Sequence, residues 1–209
     1  MFTGSTPPSG TPTAGFDFSL HVRRLCRDVA ARSEDLGHLD VDRIAVTFSQ
    51  ARKRVLHGLQ ATLTPMRFDG GSRYTRRGNR RWTIERVFDD RGVEVLYLLN
   101  FYLPRYLDLD FREKLVTLFH ELWHISPDFN GDLRRFPGRC YAHGHSQRAF
   151  DEKASRLADA YLASGAPQHC YQFLSNDFRT LKRKHGEVFG TRYRAPNLIP
   201  ADGPTDRVA

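Results

Sequence analysis

The sequence predicts an α+β domain in which a small sheet is covered by long helices. Three observations lead there. β-Branched and alternating stretches crowd into the chain before residue 104, helical spacing takes over after residue 110, and no internal repeat links the two parts.

The elements follow in order. Residues 1–15, MFTGSTPPSGTPTAG, are small, polar and rich in Pro and Gly, so they are expected to form a disordered leader. They lack the basic start and apolar stretch of a secretory signal. Phe18, Leu20, Val22, Leu25 and Val29 fall at helical spacing and predict an amphipathic helix over 16–33. Strands are expected over 40–48, 59–68, 81–88 and 93–103, the last (VEVLYLLNFYL) being the most apolar. Between the second and third lies GGSRYTRRGN, a Gly- and Arg-rich loop or long hairpin tip.

After Pro104 the pattern changes. Asp110, followed three residues later by Glu113, makes a capping box for a helix from Phe111 to Ile125. Pro127 disfavours helical geometry at Ser126, and 128–138 reads as an irregular loop. A second long helix is expected from Ser146, with Phe150, Ala154, Leu157, Ala158, Tyr161 and Leu162 on one face, stopping at Gly165 and Pro167. A further helix is expected from Cys170 to Lys184. The expected organisation is one domain over 16–190 and a Pro-rich extended tail over 191–209.

Bulk properties narrow the function. With 40% apolar residues and no apolar run near the roughly 20 a membrane helix needs, a spanning role is excluded and a cytoplasmic protein is expected. Cys26, Cys140 and Cys170 are odd in number and never form CxxC, which argues against a disulfide framework or a cysteine zinc ribbon. The formal charge of +8 favours phosphate or carboxylate partners. Arg73, Arg76, Arg77, Arg80 and Arg81, with Tyr74 and Trp82 among them, make nucleic acid a candidate partner of loop 73–81, and a solvated hairpin tip is the equal alternative. Arg179, Lys182, Arg183 and Lys184 read as a solvated helix face.

The chemistry sits in LVTLFHELWHI, residues 115–125. Residues four apart on a helix lie about 40° apart around its axis, so His120 and His124 project from one side. Two neutral imidazoles so placed can hold one zinc ion, while Glu121, offset by about 100°, is the candidate catalytic base toward a water molecule. Two histidines and a glutamate inside a strongly apolar helix would be costly without a partner, and a metal is the economical one. A catalytic zinc needs a third protein ligand. His145, just ahead of the expected cap Ser146, is the first candidate, with His143 and Glu152 as alternatives. Asp151, Glu152 and Asp159 could accept the second N–H of a ligand histidine. Tyr141, Arg134, Arg135 and Arg139 are candidates to stabilise an oxyanion.

His120, Glu121, Leu122, His124, His145 and Phe150, in that order, resemble the SprT-like and minigluzincin-like zinc peptidases, especially the phage-type metallopeptidases. The similarity runs over about residues 93–162; the HExxHxxGxxH extension of metzincins is absent. The resemblance implies a zincin-like fold, with the HExxH helix on a mixed sheet whose edge strand can receive an extended peptide. It also implies a zinc metallopeptidase acting on protein or peptide substrates. The reading from a different class is a nucleic-acid-binding module with a structural zinc site, which would have no use for Glu121.

Overall fold

A computed structural model describes residues 15–51, 58–136 and 146–201. It is an α+β structure: among the described residues five α-helices surround three small sheets. The leader expected over 1–15 lies, apart from Gly15, outside the described residues.

The chain enters through a two-residue strand, β1 (Phe16–Asp17), directly into α1 (Phe18–Arg32), whose cap is Asp17 accepting from the Leu20 N–H. Of the five residues the spacing picks out, Phe18, Val22, Leu25 and Val29 are buried and Leu20 is exposed, while Cys26 joins the buried face. Next come β2 (Ile44–Gln50) and β3 (Ala61–Pro65), then the hairpin β4 (Tyr74–Arg77) and β5 (Arg80–Ile84), and β6 (Tyr97–Leu103). The central sheet has the order β2-β6-β3, with β2 parallel and β3 antiparallel to β6. β6 is therefore covered on both faces. Tyr97, Leu99, Phe101 and Leu103 enter the main core, whereas Leu98 joins a small cluster with Ala45, Met66 and Val95 behind it. This two-sided burial accounts for the unbroken apolar run in its sequence.

The expected strands prove shorter. Residues 41–43 form a 3₁₀ turn, and the arginine loop is itself two paired strands turning at Gly78, which takes φ +59°. The third strand starts one residue early and ends at Ile84, because Glu85 is spent on the Asn197 N–H and on Arg194.

Helix α2 (Phe111–Trp123) begins at the full capping box of Asp110 and Glu113 and packs on β3 and on α3 (Gln147–Ala163), which Ser146 caps at the Ala149 N–H. The helix expected from Cys170 to Lys184 is broken into α4 (Gln168–Tyr171), a 3₁₀ turn and α5 (Phe178–His185). The cause lies in side chains: Asp177 caps α5 at Thr180, and the buried Lys114 ammonium donates to the carbonyls of Leu174 (2.8 Å) and Asn176 (2.9 Å) that the break frees. The chain then forms β7 (Val188–Phe189), parallel to β1, and β8 (Leu198–Pro200), which adds to β5. No helix among the described residues is long and apolar enough to cross a membrane.

Candidate metal centre

The last turn of α2 carries the histidine pair. His120 Nε2 and His124 Nε2 lie 3.2 Å apart, and their ring centroids are 4.9 Å apart. Two nitrogens bound to one tetrahedral zinc at about 2.05 Å must be about 3.3 Å apart, so this pair fits such an ion. The pair also sits at the helix C-terminus, where the backbone dipole favours a cation. His124 is itself the C-cap, its N–H reaching back to the Glu121 and Leu122 carbonyls.

The first turn of α3 clamps the pair. Asp151 Oδ1 is 3.0 Å from His120 Nδ1, which fixes that ring and leaves its Nε2 toward His124. The preceding residue, Phe150, is buried with its ring 4.5 Å from His124 at an interplanar angle of 29° and 4.8 Å from His120. Of the three carboxylates the sequence offers for this role, only Asp151 takes it among the described residues. Glu152 is held by Arg148 at 2.8 Å, and Asp159 by Arg112 at 2.8 Å.

Glu121 points elsewhere, toward β3. Burial pushes its carboxyl up to about 7, and the opposing influence is the backbone N–H of Leu63. The register explains that N–H. Gln60 and Met66 bond to β6 through Tyr102 and Leu96, so the intervening Leu63 directs its N–H away from the sheet. β3 is an edge strand of this sheet, and Pro65 at its end has no N–H to offer a neighbour. No side chain signals this contact, which is why sequence reasoning misses Leu63.

The loop after α2 is bound into the structure. The Arg134 N–H donates to the His124 carbonyl at 2.6 Å, and Ile125 bridges Leu133. Asp132 accepts from the Gly70 N–H at 2.9 Å and from Arg135 at 2.7 and 2.9 Å. Tyr97 joins the same loop, its hydroxyl donating to the Asp132 carbonyl and accepting from the Gly131 N–H. Of the candidate oxyanion stabilisers, Arg134 lies over Trp123 and donates to its carbonyl, and Arg135 is paired with Asp69 and Asp132. Both are occupied structurally.

His143, His145, Tyr141 and Arg139 lie outside the described residues. Among the described residues no group of three or more His, Cys, Asp or Glu side chains is placed to hold a metal. His120 and His124 are thus a matched pair; of the three candidates for a third ligand, His143 and His145 lie outside the described residues and Glu152 is paired with Arg148. Comparison with family models, with curated proteins and with solved structures finds no match to this chain.

Proposed function

We propose that this chain is a cytoplasmic, zincin-like, zinc-dependent peptidase, with His120, His124 and His145 as metal ligands and Glu121 as the base. The observation that carries the reading is the 3.2 Å convergence of the two Nε2 atoms, with one ring braced by Asp151. Zinc in such a site supplies Lewis acidity toward a peptide carbonyl and a water molecule.

The chain's own groups do the rest. Asp151 holds the His120 tautomer, and Phe150 excludes water from one side of the imidazoles. Glu121 sits in an environment that raises its proton affinity into the range where a carboxylate can take a proton from water and return it to the leaving amine. Leu63 holds that carboxylate against the edge strand, beside which an extended peptide can lie. The test is Glu121→Gln with zinc content and cleavage of a denatured protein measured together. Retained zinc with proteolysis lowered at least about a hundredfold is expected; unchanged cleavage would refute the role of Glu121.

A second reading, a nucleic-acid-binding module with a structural zinc, is favoured by one observation. In the β4–β5 hairpin Arg76 stands directly opposite Arg81, and Arg77 opposite Arg80. Like charges facing each other across strands are destabilising, so the pairs make sense if an external polyanion neutralises them. Tyr74, under the Arg81 guanidinium at 4.1 Å, and Trp82 would add stacking surface. The two readings part at Glu121, which only the peptidase needs.

A further inference from the structure

A cleft of about 560 Å³ opens between α1, α4, the 3₁₀ turn after it, and α5. Among the described residues, none of those seen to touch His120, Glu121 or His124 lines it. Its size is that of a small-molecule site, and its lining divides into two parts.

The floor is aromatic. Phe16 and Phe173 are buried, and His21 stacks on Phe16 with centroids 4.2 Å apart and planes at 25°. His185 lies 5.3 Å from Phe16 with the ring planes at 44°. The His21 ring is fixed by its Nδ1, 2.7 Å from the Asp17 carbonyl, so that nitrogen carries the proton and Nε2 remains for other use.

The rim is rich in donors. His169, Lys184 and His185 come from two helices and stand at one cleft with Gln172 and Asn176. Among the described residues no hydrogen bond or ion pair engages the ring nitrogens of His169 or His185, and the Lys184 ammonium is held at 2.7 Å by the neutral Asn176 amide oxygen. Among the described residues no Asp or Glu lines the cleft. Two carboxylates adjacent in sequence to lining residues, those of Asp17 and Asp177, are spent on capping the Leu20 and Thr180 N–H groups. A donor-rich rim that includes the Lys184 ammonium, beside a cluster of aromatic rings, suits an anion that bears a ring.

We propose that this cleft binds a small phosphate ester carrying a planar ring, with the phosphate at His169, Lys184 and His185 and the ring on the His21 side of the aromatic cluster. Inorganic phosphate shares the anion chemistry but lacks the ring; an uncharged nucleoside has the ring alone.

The test is calorimetric titration of the full chain with AMP, adenosine and inorganic phosphate, repeated on the His169→Ala/Lys184→Ala double variant. Both side chains are exposed, and circular dichroism checks that the fold is kept. AMP is expected to saturate with a Kd of about 1 mM or below, and to weaken about tenfold or more both in the double variant and when adenosine replaces it. AMP affinity unchanged by the double variant would place the ligand elsewhere, on the arginine hairpin for example, and overturn the proposal. So would absence of saturable binding up to about 10 mM. Equal affinity for phosphate and AMP would overturn the part played by the aromatic floor. Glu121→Gln protein is expected to bind AMP as wild type does, so the outcome is independent of the peptidase reading.

Discussion

Glu94→Gln is the perturbation whose cost can be worked most directly. Glu94 lies at the centre of four arginines: Arg67 and Arg86 hydrogen-bond its Oε1, and Arg43 and Arg73 stand within 4 Å of Oε2 at 3.7 and 3.9 Å. Burial opposes its ionisation, but the bonds from Arg86 and Arg67 outweigh that and hold the carboxyl down at about 2, against an ordinary 4.5. At about 1.4 kcal/mol per pH unit, the interval corresponds to about 3 kcal/mol of folding stability. The sign follows from the depressed value. The contribution is complete above pH 4.5 and is lost as pH falls through about 2, with about 1 kcal/mol gone by pH 3.5. The Arg67 side chain is only 7% exposed, so Glu94→Gln also strands a buried cation, which keeps the expected loss at pH 7 near the full about 3 kcal/mol. Urea denaturation of both proteins at pH 7 and pH 3.5 reads the difference. A loss under about 0.5 kcal/mol at pH 7, or one of the same size at both pH values, would refute the electrostatic account.

Two further expectations follow from contacts. If the histidine pair holds zinc as proposed, Asp151→Asn, which retains the shape but not the charge beside His120 Nδ1, is expected to weaken zinc binding about 10- to 100-fold in chelator competition, with the circular dichroism spectrum unchanged. Arg76→Glu combined with Arg80→Glu breaks both like-charge pairs of the hairpin; if a nucleic acid lies there, the slope of log affinity against log salt falls by about two, whereas a solvated hairpin leaves any residual binding and its slope unchanged.

The parts of the fold legible in the sequence were those encoded by local side-chain chemistry. Asp110 and Glu113 announce the start of α2, Ser146 that of α3, and the 3.6-residue spacing of Phe150, Ala154, Leu157, Ala158 and Tyr161 its buried face. What stayed hidden was set by distant partners. Lys114 and Asp177 together divide the segment after Gly165 into two short helices, although its own residues suit one long one. β5 ends where Glu85 turns to Asn197, more than a hundred residues away. At the site, the facing of His120 and His124 followed from helical geometry alone, and Asp151 was legible only as one of three carboxylates. The Leu63 N–H was out of reach, because its direction depends on the pairing of β3 with β6.

That pairing has a consequence for how the site holds together. Glu121 and the histidines stand on different sides of one helical turn, so they are braced by different layers: the histidines by α3, the glutamate by β3. The loop leaving this turn is tied to the sheet a third time. The Arg67 N–H donates to the Gly131 carbonyl, Gly131 takes φ +89°, and a Cβ built there would meet Arg67 Cγ at 2.5 Å. Arg67 in turn is anchored by Glu94. The carboxylate at the centre of the arginine cluster therefore acts on the end of α2 through two steps, Glu94 to Arg67 and Arg67 to the loop that closes on the His124 carbonyl. A glycine is required at 131 because both the left-handed backbone and the approach of Arg67 exclude a side chain. This chain of contacts links the sheet edge to the end of α2, so if zinc binds at His120 and His124 as proposed, loosening Glu94 is expected to weaken its retention.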